Sequence, residues 1–186
     1  MSKLHLHIAN ANQTFTDAEI AIFKNTAQQA ETFVSSEFAQ FDYEVDVIIT
    51  TPSFMLPTIA EDGIAGKTLH SRLIMISVDK SQHGVSEDFI FETICHEMSH
   101  SLRWEKLPEY AETMFDGMIL EGLAVALEEE AMIKLGRRNQ QFFLREMQKT
   151  SQAEIDKIIA ALQDNFEDKV YDYTKIFFTG DDVLPR

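Results

Sequence analysis

The chain has 186 residues, 45% hydrophobic and 25% charged, which is enough to bury a substantial core and too apolar for wholesale disorder. Its 16 Lys plus Arg against 31 Asp plus Glu leave a formal net charge of -15, so neither nucleic acid nor an anionic membrane surface is an expected partner. Cys95 is the only cysteine, which excludes an internal disulfide and fits a reducing cytoplasm.

The N-terminus alternates polar and apolar residues where a signal peptide needs a continuous apolar stretch, and no later segment reaches membrane-span length. A cytoplasmic location is therefore expected. Leu4, Leu6 and Ile8 alternate with Lys3, His5 and His7, the period of a half-buried strand, which Asn10 to Asn12 ends. Thr16 followed by Glu19 reads as a capping box, and Ile20, Phe23, Ala27, Ala30 and Val34 recur at helical spacing. Tyr43 to Thr50 alternates again, with apolar weight at Val45, Val47 and Ile49, before Pro52 and Pro57 interrupt. Glycines 63 and 66 flank a tight segment, G-I-A-G-K-T-L, and Leu73 to Val78 reads as a buried strand.

From Ser86 onward the pattern is helical. Apolar periodicity runs from Phe89 to Trp104, Ala111 to Leu135, Asn139 to Met147 and Ala153 to Phe166, with Gly136 ending the second of these. Strands before helices give an α+β class, as one unit over residues 1–186 or as subdomains dividing near residue 104, with 1–104 carrying the sheet and 105–186 helical.

Residues 96 to 100 read His96-Glu97-Met98-Ser99-His100, an H-E-x-x-H on a helix. Two His four residues apart share one helix face, so their imidazoles can converge on one Zn²⁺ while Glu97 reaches metal-bound water. The periodicity sets this face opposite an apolar stripe of Phe91, Ile94, Cys95, Met98 and Leu102, which makes it the solvent side. Glu121, in L-E-G-L-A-V-A-L, is the candidate third ligand, because its neighbours are apolar around the helix and a buried carboxylate needs a partner. The alternative is a surface position. Gly122 would permit close approach of two helices, and Glu128, Glu129 and Glu130 read as a solvated run. His5 and His7 read as an exposed strand face, His83 as loop, and Cys95 as a small buried hydrophobe. Phe89 and Trp104 fall on the ligand side, lining a subsite or touching a neighbouring helix.

T-I-C-H-E-M-S-H-S-L-R followed by I-L-E-G-L-A resembles the YjaZ-like family of predicted bacterial zinc-dependent proteases, within the broader gluzincin pattern. The resemblance extends more weakly over D-G-I-A-G-K-T-L, the strand Leu73 to Val78 and I-F-F-T-G-D-D-V-L-P-R. It touches most of residues 60 to 186 and gives residues 1 to 40 no support. It implies a zincin-like fold and a metallopeptidase with one zinc per chain on His96, His100 and Glu121. It also implies Glu97 as general base and a structural or catalytic role for Arg103. The family pattern continues past L-P-R into a tyrosine-containing G-Y stretch and another helix, which this sequence, ending at Arg186, lacks.

Three ligands leave a fourth zinc position open for water, the arrangement of catalytic sites. Glu97 would take the water's proton as it attacks a peptide carbonyl and pass it to the leaving amine. The oxyanion donor has four candidates, Tyr171, Tyr173, His70 and Arg103, the tyrosines serving otherwise as packing residues. The expected partner is a peptide or protein substrate, added as a strand along the segment Gly63 to Leu69, where Gly63, Ala65 and Gly66 permit close backbone approach. The alternative for that segment is an ordinary loop. The alternative for the whole chain is a zinc-binding but catalytically silent regulatory or interaction protein.

Overall fold

The computed structural model describes residues 3–57, 60–107, 111–138 and 149–180. Four strands form one sheet in the order β1-β2-β4-β3, with β1 at Leu4–Ile8, β2 at Val45–Thr50, β3 at Ile64–His70 and β4 at Leu73–Val78. The helices are α1 (Asp17–Glu37), a single turn α2 (Lys80–His83), α3 (Glu87–Lys106), α4 (Met114–Lys134) and α5 (Gln152–Leu162), with a π-helical turn over Lys175–Thr179. The helix expected over Asn139 to Met147 lies outside the described residues.

The α+β expectation holds as a mixed α and β architecture, but the strands are not all segregated from helices. α1 lies between β1 and β2 in the chain and these strands pair in parallel, as β2 does with β4, because a parallel pair needs a long crossover connection. Only β3 runs antiparallel, on β4. Period-two alternation sets Val45, Val47 and Ile49 of β2 and Ile74 and Ile76 of β4 into the core, while His5, His7, Asp46 and Lys67 face outward. His7 pairs with Asp46 at 2.6 Å and His5 with Glu44 at 3.4 Å, so these histidines belong to a polar sheet face as the alternation implies.

α1 begins at the Thr16–Glu19 capping box and contributes Phe23, Ala27, Ala30 and Val34 to the core, all buried. α3 is the central helix, packed on the sheet, α1 and α4. Ser101 donates to the Ser71 carbonyl at 2.5 Å, which commits its one proton, so Tyr43 is the donor in the 3.0 Å contact with Ser101. These bonds pin α3 against the start of β4. Glu87 and Asp88 in its first turn and Arg103 and Lys106 in its last complement the helix dipole.

α4 starts at a Thr113–Asp116 capping box and runs antiparallel to α3. Arg137, beyond the C-terminal end of α4, bonds Asp88 in the first turn of α3 at 2.7 Å. Gly136, at φ 67, ends α4 as the sequence indicates. α4 is not buried all round: Phe115, Ile119 and Leu123 are exposed on its outer face, whereas Leu120, Ala124, Leu127 and Ala131 are buried. Gly122 borders an open cleft beside Glu121, with nothing within 4 Å of where its Cβ would be. It plays no part in the approach of the two helices. His83 is the last residue of α2, not loop, and stacks on Phe89 with ring centroids 5.4 Å apart. Among the described residues no helix is long and apolar enough to cross a membrane.

Candidate metal centre

α3 places His96 and His100 one turn apart, and their Nε2 atoms come to 3.1 Å of each other. The facing turn of α4 brings Glu121, with Oε2 3.3 Å from His96 Nε2 and Oε1 3.6 Å from His100 Nε2. Donors about 2.0–2.1 Å from a tetrahedral zinc lie roughly 3.4 Å from one another. The Glu121 separations run to its two different oxygens, and one donor atom from each of the three residues lies within 4.8 Å of the others, so the group has the size and composition to hold one zinc ion. Among the described residues this is the group of His, Cys, Asp and Glu side chains that could hold a metal.

The motif is not on a solvent-facing stripe. His100 and Glu97 are each 6% exposed, because α4 and β3 together cover the face that helical periodicity alone assigns to water. Burial disfavours charge on His96, but Glu128, Glu121 and Glu97 outweigh it and raise the imidazole's proton affinity well above the ordinary value. Burial likewise opposes ionisation of Glu121, yet His100 and His96 hold its carboxyl far below the usual range. Carboxylates crowd two imidazoles here, a field that favours a bound cation.

Glu128 is the principal correction to the sequence reading. It is not part of a solvated run but 0% exposed, and its Oε2 lies 3.4 Å from Nδ1 of His96, the ring atom away from the ligand cluster. Beyond this ion-pair approach, neither carboxylate oxygen nor His96 Nδ1 has a hydrogen-bond partner among the described residues. Burial pushes the Glu128 carboxyl up against the pull of His96, while His96 is also raised. The signal available in the sequence was spacing, since Glu128 is two turns beyond Glu121 and so on the same face of α4.

Glu97 is held by β3. Thr68 donates its hydroxyl to Glu97 Oε2 at 2.7 Å, with the Glu97 carbonyl at 3.0 Å as a second acceptor. A Cβ on Gly66 would lie 2.4 Å from Glu97 Oε1 and 2.6 Å from its Cγ, so the side chain rests on bare backbone. The segment expected as a candidate edge is therefore a strand, and it is the sheet edge nearest the motif. Gly63, at φ 64, begins it, in a conformation that a side chain would strain.

A cleft of about 480 Å³ opens on the cluster. Its floor carries His96, Glu97, His100 and Glu121, one wall is Ile64, Ala65 and Gly66, and the other is apolar, from Met118, Val125, Ile158, Leu162 and Phe177. Of the four candidate donors, Tyr173 reaches the centre, its phenol donating to Glu121 Oε1. Tyr171 packs with Met114 and Leu162, its hydroxyl 2.6 Å from where a Cβ on Gly117 would be. His70 lies against Trp104 with ring centroids 5.7 Å apart, and neither lines the cleft. Arg103 lines a separate depression with Leu102 and Leu123. Phe89 is engaged with His83, so the aromatic subsite expected of Phe89 and Trp104 does not form. Cys95 is fully buried, with burial raising its thiol well above the ordinary value, which makes it an inert core residue.

Two histidines from one helix and a glutamate from its antiparallel neighbour, with a further carboxylate beside them, form a cluster that could hold a metal ion. Residues 23–186 match the family model described as predicted Zn-dependent protease (DUF2268), and the chain belongs to that family. This is consistent with the YjaZ-like resemblance and extends it, since the match takes in most of α1, which the resemblance left unsupported. No curated protein and no solved structure matches the chain.

Proposed function

We propose that the chain is a zinc-dependent metallopeptidase of zincin-like architecture, one domain with one zinc per chain on His96, His100 and Glu121. The convergence of these three donors at zinc-like spacing, with a buried carboxylate next along the helix, carries the reading. Zinc, when bound, supplies the Lewis acidity that makes water nucleophilic near neutral pH. Glu97 takes the proton of the attacking water and returns it to the leaving amine. Glu128 orients the His96 ring by accepting from Nδ1, which fixes Nε2 as the ligand atom. Tyr173, whose phenol already reaches Glu121, is the donor to the developing oxyanion.

The substrate is a peptide lying extended along β3. That strand is the outer member of the sheet beside the cleft, and Ala65 and Gly66 put little bulk between its backbone and an added strand. The apolar wall opposite takes substrate side chains.

The alternative is a zinc-binding protein without turnover. The Thr68 and Gly66 contacts to Glu97 favour the enzyme, because a binding scaffold needs ligands but no oriented base. Incubating the zinc-loaded protein with a peptide library and reading the products by mass spectrometry decides between them. The expected result is cleavage that Glu97→Gln abolishes; a loaded wild type that cleaves nothing supports the silent reading.

A further inference from the structure

We infer that Thr68 is the positioning residue of Glu97, so that the edge strand of the sheet aims the base of the active site. The inference rests on reading Glu97 as that base. A glutamate side chain has three rotatable bonds, and leaving it unrestrained spreads its oxygens over several positions. Here both oxygens are confined from one strand. Thr68 donates to Oε2 at 2.7 Å, and Oε1 lies over Gly66, where a Cβ would come within 2.4 Å. Gly66 and Thr68 are two apart in β3 and so present to the same side.

The hydroxyl's one proton lies nearer Oε2 than the Glu97 carbonyl, while Oε1 faces Gly66 on the cleft wall and is the oxygen offered to water there. Gly66 lines the cleft and Thr68 does not, so Thr68 acts on Glu97 and not on substrate. The strand proposed to dock the peptide is thereby also the strand that sets the base.

Thr68→Val removes the hydroxyl at nearly constant shape, and Thr68→Ser keeps it. With zinc-loaded protein, T68V is expected to lower kcat by about tenfold or more with KM within about twofold and zinc content unchanged, while T68S recovers most of the loss. Equal losses in T68V and T68S, or an unchanged kcat in T68V, overturn the proposal. A readout independent of turnover is a double-mutant cycle of T68V with Glu97→Ala, followed by urea unfolding of the metal-free protein. The folding constant should fall about tenfold for T68V in the presence of the Glu97 side chain and by a smaller factor in Glu97→Ala, where the hydroxyl keeps only the backbone carbonyl as acceptor. Additive effects overturn the contact. A non-additive cycle in a loaded wild type that cleaves no peptide upholds Thr68 as the holder of Glu97 and sinks the peptidase reading instead.

Discussion

Glu128, fully buried on α4, lies 3.4 Å from the ring nitrogen of His96 that faces away from the ligand cluster. A carboxylate isolated from water is expensive, and one that orients a metal-ligating imidazole has a reason to be there. Glu128→Gln should weaken zinc binding by about 10- to 100-fold, measured by competition with a chelator. Unchanged zinc affinity would remove Glu128 from the site.

Glu97→Gln preserves size and removes the basic oxygen. It should keep zinc and lose peptide hydrolysis by about 10²- to 10⁴-fold, read as kcat beside metal content. Loss of zinc together with activity would assign Glu97 a ligand or folding role.

Gly66→Ala tests the backing of Glu97 directly. Gly66 is not among the glycines at positive φ, so alanine suits the backbone, but its Cβ would sit 2.4 Å from Glu97 Oε1. The far end of the glutamate must move. The expected result is a folded, zinc-binding protein with kcat lowered by about tenfold or more; wild-type turnover would mean that the Glu97 orientation does not matter.

Much of this site was legible in the residues. H-E-x-x-H pointed to the two His that meet Glu121 because i, i+4 spacing is a property of any α-helix, and Glu121 stood out as a carboxylate in an apolar run. Glu128 was not legible, because three consecutive glutamates look solvated until the antiparallel packing of α4 on α3 selects the one that faces inward. That packing hides His100, and β3 hides Glu97, both of which helical periodicity in α3 alone turns toward water. β1, β2 and β4 follow from their alternation, whereas β3 did not, since Gly66 and Thr68 lack an apolar signal and the strand is fixed by pairing to β4. The roles of Gly66 and Thr68 depend on that pairing.

Tyr173→Phe deletes only the phenolic oxygen that contacts Glu121. If Tyr173 stabilises the oxyanion, kcat should fall by roughly 10- to 100-fold with zinc retained and KM little changed. A fall in zinc affinity at constant kcat would make Tyr173 a support for the ligand instead. Tyr171→Phe, in the apolar cluster with Met114, should leave kcat within about twofold.

Zinc stoichiometry in reloaded wild type beside His96→Ala tests the metal centre most directly. Both proteins are stripped with chelator, reloaded with excess zinc, desalted and analysed for metal. One zinc per wild-type chain is predicted, with a small fraction of that in the folded variant, since losing one of three ligands opens the site. Equal zinc in both proteins, or none in a folded wild type after reloading, would contradict a zinc centre on His96, His100 and Glu121.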